Sequence, residues 1–168
     1  MKKIAIVYGS TTDNTKNAAS AIADKLAGED VTLIDASKLK TGALDEYPNV
    51  ILGTSTWGFG DLQDDWDEQL VVLKNSNLEG KVIALFGLGD ASSYAETFVD
   101  GMGILYETVK DKGCKLVGKC PTDGYHFDES KAVDDDAFVG LALDEDNEAN
   151  KTDSRIDTWV TAILPELQ

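Results

Sequence analysis

The chain has 168 residues, with 31 acidic against 15 basic side chains and a formal charge of −16. That length suits a single domain, residues 1–168, with a proper core, and the charge argues against nucleic acid and anionic membrane surfaces, both of which need a basic footprint. A lone histidine, His126, leaves little room for His-based catalysis or a His-rich metal site, and Cys114 and Cys120 fit neither a zinc site nor a C-x-x-C pair.

No stretch reaches the length of a membrane span, and Met1-Lys2-Lys3 leads straight into strand-like residues with no signal-peptide core. A cytoplasmic location with unpaired thiols is expected. Apolar β-type runs follow in order: Ile4–Tyr8, Val31–Ile34, Val50–Leu52, Val82–Phe86, Leu116–Val117 and Phe138–Leu143. They are nearly continuous rather than alternating, as strands covered on both faces should be. Helical stripes lie between and after them: Ala18, Ile22 and Leu26; Trp66, Leu70 and Leu73; Met102, Leu105 and Val109; Ile156, Trp159, Val160 and Ile163. This alternation predicts an α/β fold, a doubly wound five-stranded parallel sheet with helices on both faces. Residues 119–137 carry turn signals and aromatics without a helical face, and are expected as an excursion interrupting the last strand, pinned by Tyr125 and Phe127.

In such a sheet the ligand lies beyond the carboxyl ends of the strands, so the loops beginning at Gly9, Gly53 and Gly87 carry the chemistry. After the first strand come Ser10, Thr11, Thr12, Asp13, Asn14 and Thr15, and then a helix. Unpaired N–H groups and the positive helix end favour an anion there. The hydroxyls donate without a lysine, unlike a P-loop, and G-x-G-x-x-G is absent. The expected ligand is therefore a phosphate monoester that is held rather than transferred; an ordinary polar turn is the alternative. The second loop, Gly53 to Asp61, places Trp57 among small residues, and the third, Gly87 to Tyr94, adds a second ring. An aromatic at a sheet mouth is costly to expose unless something flat covers it. Two rings near a phosphate cradle suggest a planar heterocycle, against the alternative of core roles for both.

Taken together, Ser10-x-Thr12-x-Asn14-Thr15, Thr56-Trp57-Gly58-x-Gly60, Gly87-Leu88-Gly89-Asp90 with Tyr94, and Phe138-Val139-Gly140-Leu141-Ala142-Leu143-Asp144-Glu145-Asp146-Asn147 resemble the long-chain flavodoxins. The excursion with Thr122-Asp123-Gly124-Tyr125 belongs to the same resemblance, which runs almost end to end. It implies a non-covalent FMN and a low-potential one-electron carrier rather than an enzyme, shuttling between semiquinone and hydroquinone. The segment Ser10–Thr15 would wrap the phosphate; Tyr94 would stack on the outer flavin face and Trp57 on the inner. Backbone around Gly58, Phe59 and Gly60, and around Leu88, Gly89 and Asp90, would edge the pyrimidine and N5 side, with Thr56 and Asp146 near the ribityl chain. The implied partners are basic-surfaced redox proteins, docking transiently onto a monomer by electrostatic steering.

Asp13 stands where flavodoxins usually carry glycine. Aspartate tolerates the left-handed region better than most residues; its carboxylate either points to solvent or caps the helix beginning near Thr15. Two features would tune the potentials. Gly58 lacks a Cβ, so its peptide with Phe59 turns at little steric cost; Asp61, Asp64, Asp65, Asp67, Glu68 and Asp90 oppose a second electron. An FMN-dependent NAD(P)H or quinone reductase of the same fold is the alternative function. A phosphorylatable receiver domain would need an acidic pair where Gly9-Ser10 stand and an acceptor Asp where Gly53-Thr54 stand. A cofactor-free binding module is the third reading.

Overall fold

In the computed structural model, which describes residues 1–168, the apolar runs become strands and the stripes become helices. In chain order these are β1 (Lys3–Gly9), α1 (Asn14–Lys25), β2 (Asp30–Asp35), β3 (Asn49–Trp57), the short β4 (Asp61–Leu62), α2 (Asp64–Asn75), β5 (Val82–Leu88) and α3 (Asp100–Val109). Then come β6 (Lys115–Val117), β7 (Cys120–Pro121), β8 (Val133–Asp134), β9 (Ala137–Phe138), β10 (Leu141–Leu143) and α4 (Glu145–Ile163). The main sheet runs β2-β1-β3-β5, all parallel, and its far edge is shared by β6 and β10, both parallel to β5. β6 pairs along Val82–Ala84 and β10 along Phe86–Leu88.

Side chains on successive strand residues point to opposite faces, and here both faces are buried. Ala5, Val7, Leu52, Ile83 and Leu85 pack with Trp66, Leu73, Met102, Leu105 and Val109 of α2 and α3. Ile4, Ile6, Ile51, Ala84 and Phe86 pack with Ala18, Ile22, Ile156, Trp159 and Ile163 of α1 and α4. This is why the runs look continuous in the sequence.

The interruption of the fifth strand is real, but its far boundary differs from expectation. Phe138–Leu143 is not one strand: Ala137–Phe138 joins β7 and β8 in a small antiparallel sheet, and only Leu141–Leu143 enters the main one. The break falls at Gly140, where a Cβ would lie 2.1 Å from the Leu85 carbonyl oxygen. The excursion is pinned as expected. Tyr125 OH donates to Ala142 O at 2.7 Å, and the Phe127 ring centroid lies 5.2 Å from that of Phe138.

Two expected loop starts also move. Gly53 and Gly87 lie inside β3 and β5, and a Cβ at either would collide, at Gly53 with the Phe86 ring and at Gly87 with Met102 Cβ. They are close-packing glycines of strand interiors rather than turn residues. β3 runs on to Trp57 and folds back onto β4, pairing Trp57 with Asp61.

At the entrance to α3, buried Val99 adopts φ 49°. A β-branched residue there is a true outlier; such strain costs about 1–3 kcal/mol and persists only where the surroundings over-determine it.

Candidate functional site

The carboxyl ends of β1, β3, β5 and β10 open onto one cleft of about 430 Å³, a volume typical of cofactor pockets. Its lining comes from four places: Thr12 and Asn14; Ser55, Thr56, Trp57 and Gly58; Leu88, Gly89, Asp90 and Tyr94; and Glu145 and Asp146 at the start of α4. Trp57 and Tyr94 are 40% and 44% exposed. Neither is a core residue, which removes the alternative reading of both rings. Trp57 Nε1 donates to Ser55 Oγ at 2.8 Å, which fixes the indole on its strand end.

The first loop is organised by residues that do not themselves line the cleft. Ser10 Oγ accepts from Lys16 N at 3.3 Å, satisfying one free donor of α1. Asp13 sits at the N-cap position with φ 69°, left-handed as expected, but its carboxylate makes no capping bond. That corrects the capping alternative: Ser10 supplies the side-chain acceptor instead. Thr11 Oγ1 accepts from Gln63 Nε2 at 3.2 Å, so its own proton stays available as a donor. Thr15 is 1% exposed, and its Oγ1 is buried with no hydrogen-bond partner. A buried orphan hydroxyl is rare and calls for a partner; a phosphate oxygen would supply one. The N–H groups of Asn14 and Thr15 have no carbonyl four residues back within the helix. These observations fit a phosphorylated ligand.

Asp13→Gly is expected to tighten phosphate-ester binding several-fold and to stabilise the fold by about 1 kcal/mol, since it removes a like charge and an unfavourable backbone conformation. Isothermal titration with FMN and a thermal melt of the apoprotein check both.

The second loop is left-handed at Gly58 (φ 53°) and Gly60 (φ 97°). Gly60 is buried behind the loop rather than on the cleft, and Phe59 projects outward at 89% exposure, edge-on to Tyr94 with ring centroids 6.5 Å apart. Ser10, Thr11, Asp13, Thr15, Phe59 and Gly60 are therefore not among the cleft-lining residues, whereas the other expected positions are. Thr56 Oγ1 accepts from Gly101 N at 2.9 Å, tying the loop to α3.

The third loop is held by a carboxylate network. Asp90 Oδ1 accepts from Ser92 N, Ser93 N and Asn147 Nδ2 at 3.1, 2.9 and 2.8 Å. Burial alone would raise its pKa, but these bonds outweigh that and hold it below the usual carboxylate range. Asp144 accepts from Asn147 N and Ala91 N at 3.0 and 3.1 Å, so it caps α4 and clamps the Tyr94 loop at once. Asp146 is pushed the other way, first by burial and then by the charges of Asp90, Asp144 and Glu145.

Sequence reasoning missed Ser55 and Glu145 on the cleft, and Gln63, Asp144 and Asn147 behind it. Asp144-x-x-Asn147 did carry a signal, an acidic N-cap spaced for the N3 amide. Gln63 carried none, because its burial depends on Gly9, where a Cβ would lie 2.3 Å from Gln63 Oε1.

No helix is long and apolar enough to cross a membrane. The family model described as flavodoxin matches residues 6–159. A flavodoxin of Nostoc sp. is 43% identical over 98% of this chain and 97% of its own; flavodoxin 2 of Escherichia coli K12 is 43% identical over 96% and 95%. The crystal structure of Fusobacterium nucleatum flavodoxin bound to flavin mononucleotide superimposes with a TM-score of 0.95 at 35% identity, covering 100% of both chains. With a cleft suited to a phosphate at one end and aromatic rings at the other, and relatives matched along their whole length, the chain belongs to the flavodoxin family.

Proposed function

We infer that this chain is a one-electron carrier that holds FMN non-covalently in the cleft between its first, third and fifth strand ends. It passes electrons between redox proteins and is not itself an enzyme. The observation that carries the reading is the buried, partnerless hydroxyl of Thr15 at the end of a lysine-free loop, across a cleft flanked by half-exposed Trp57 and Tyr94. Bound FMN supplies the electron chemistry.

The protein's residues hold and tune it. Ser10, Thr11, Thr12, Asn14 and Thr15 donate to the phosphate from hydroxyl, amide and backbone groups. Trp57 and Tyr94 grip the ring system, while Thr56 and Asp146 reach the ribityl chain. Gly58 to Gly60 and Leu88 to Asp90 present backbone to the ring edge. The carboxylates nearest the cleft are Asp90, Glu145 and Asp146 rather than the Asp64–Glu68 row, which lies on α2 outside the lining. Each oppositional charge about 10 Å from an added electron contributes roughly 1.6 kcal/mol at an effective dielectric near 20. That equals about 70 mV for one electron, less after screening. Glu145→Gln with Asp146→Asn is thus expected to raise the second one-electron potential by tens of millivolts at low salt, measured by spectroelectrochemistry.

The charge of −16 and the rings exposed at the cleft mouth suit transient docking to basic-surfaced donors and acceptors. The protein acts as a cytoplasmic monomer of one domain, residues 1–168. A visible spectrum through stepwise dithionite titration tests the whole reading. A yellow protein reduced in two separated steps, unreactive to NADPH alone, supports it; a colourless protein that takes up no added FMN overturns it. Direct NADPH oxidation would favour the reductase instead.

A further inference from the structure

The first turn of α4 is set apart from the rest of its helix. Glu148 leaves helical geometry at φ −134° and ψ 37°. The break is held from the helix body, where Thr152 Oγ1 donates to Glu145 and Arg155 Nη2 donates to Glu148 at 3.1 Å. The turn places Glu145 and Asp146 on the cleft, while the next residue, Asn147, lies off it. Asn147 reaches instead to the segment that carries Tyr94, residues 89–99 between β5 and α3, which has no helix or strand of its own.

One amide serves both sides. Asn147 Nδ2 donates to Asp90 Oδ1 at 2.8 Å and to Asp144 Oδ2 and Oδ1 at 2.9 and 3.1 Å. An amide carries two such protons, so each carboxylate can take one. Asp144 is 1% exposed, and a buried carboxylate is costly unless it is hydrogen-bonded. Its other donors are Asn147 N and Ala91 N, at 3.0 and 3.1 Å. Asp90 and Asp144 repel as like charges, and a single neutral group joins them. The backbone adds Gly89 N, which donates to Leu143 O at 3.1 Å. Without the amide, two acids would face each other across this seam.

We propose that Asn147 is a positioning residue that locks the Tyr94 loop to the first turn of α4, so that the ring side and the ribityl side of the cleft close on FMN as one body. The idea rests on FMN being the cleft's ligand. It gives a task to a side chain that does not line the cleft. It also gives one to the break at Glu148, which lets the turn follow the loop without moving the helix body.

The test compares wild-type protein with Asn147→Ala, Asn147→Asp, Asp90→Ala and the double variant Asp90→Ala with Asn147→Ala. FMN affinity is read by quenching of flavin fluorescence, and amide exchange is read in the apoprotein. Asn147 is exposed, so its variants are expected to fold. Asn147→Ala should weaken FMN binding about tenfold. It should speed exchange in residues 89–94 and 144–148 together and leave β1 as it was. Asn147→Asp keeps the side-chain shape and the backbone donor but not the amide protons, so it should weaken binding at least as much. With Asp90 already removed, Asn147→Ala should cost only about threefold, because the amide then has one carboxylate left to hold. Wild-type affinity and exchange in Asn147→Ala overturn the proposal, as does faster exchange confined to the turn of α4. An undiminished loss in the Asp90→Ala background overturns it too. Wild-type protein that fails to quench FMN would overturn the FMN reading itself, a result distinct from all of these.

Discussion

Thr15→Val is expected to weaken FMN binding by about ten- to a hundredfold while making the apoprotein more stable. The two effects have one origin. A buried hydroxyl without a partner costs roughly 1–3 kcal/mol of desolvation, and Thr15 Oγ1 is such a group in the absence of ligand. Valine has nearly the same shape and no hydroxyl, so the apoprotein should melt about 2–12 °C higher. The bound state loses a hydrogen bond to a dianion, worth about 1.5–3 kcal/mol. Riboflavin, which lacks the phosphate, serves as control and should bind variant and wild type alike. Titrations by fluorescence quenching, with thermal melts of both apoproteins, read the two signs. An FMN complex as tight as wild type would refute the phosphate role of the hydroxyl.

Gly58→Val is expected to lower the potential of the first one-electron step by some tens of millivolts and to leave the second nearly unchanged. Gly58 holds φ 53°, a region in which a side chain costs about 1–2 kcal/mol and a β-branched one more. A Cβ there would also lie 3.0 Å from Asp61 Oδ2. The peptide between Gly58 and Phe59 would then no longer turn freely to present its carbonyl to the cofactor edge. Each 1.4 kcal/mol lost corresponds to about 59 mV for one electron. Gly58→Ala should shift the value in the same direction by less. Equal first potentials in all three proteins, measured by redox titration, would sink the turning-peptide account.

Most of the architecture was legible because the sheet is buried on both faces, which leaves unbroken apolar runs separated by helical stripes. The strand ends were less so. Gly53 and Gly87 look like punctuation in a sequence, yet each is a strand residue whose missing Cβ makes room for Phe86 or Met102, and those neighbours are set only by packing. Similarly, Phe138–Leu143 looks like one run because all its residues are apolar and buried, although they serve two different sheets. At the site, most residues that touch the cleft, though not Ser55 and Glu145, announced themselves through odd composition: hydroxyls, glycines and exposed rings. Their supports did not. Gln63 reaches Thr11 across 52 positions and Asp100 reaches Lys131 across 31, so no local pattern could join them.

The shared edge position has a cost for folding. β6 and β10 each meet β5 through three residue pairs, whereas β3 meets it through seven. The half-strands must also be delivered from either side of a long insertion, so their contacts form late and close slowly. That seam is therefore expected to open before the rest of the sheet, below the global unfolding free energy. With it parted, the bare margin of β5 would be a template for another chain, so strand exchange between copies is the expected failure at high concentration.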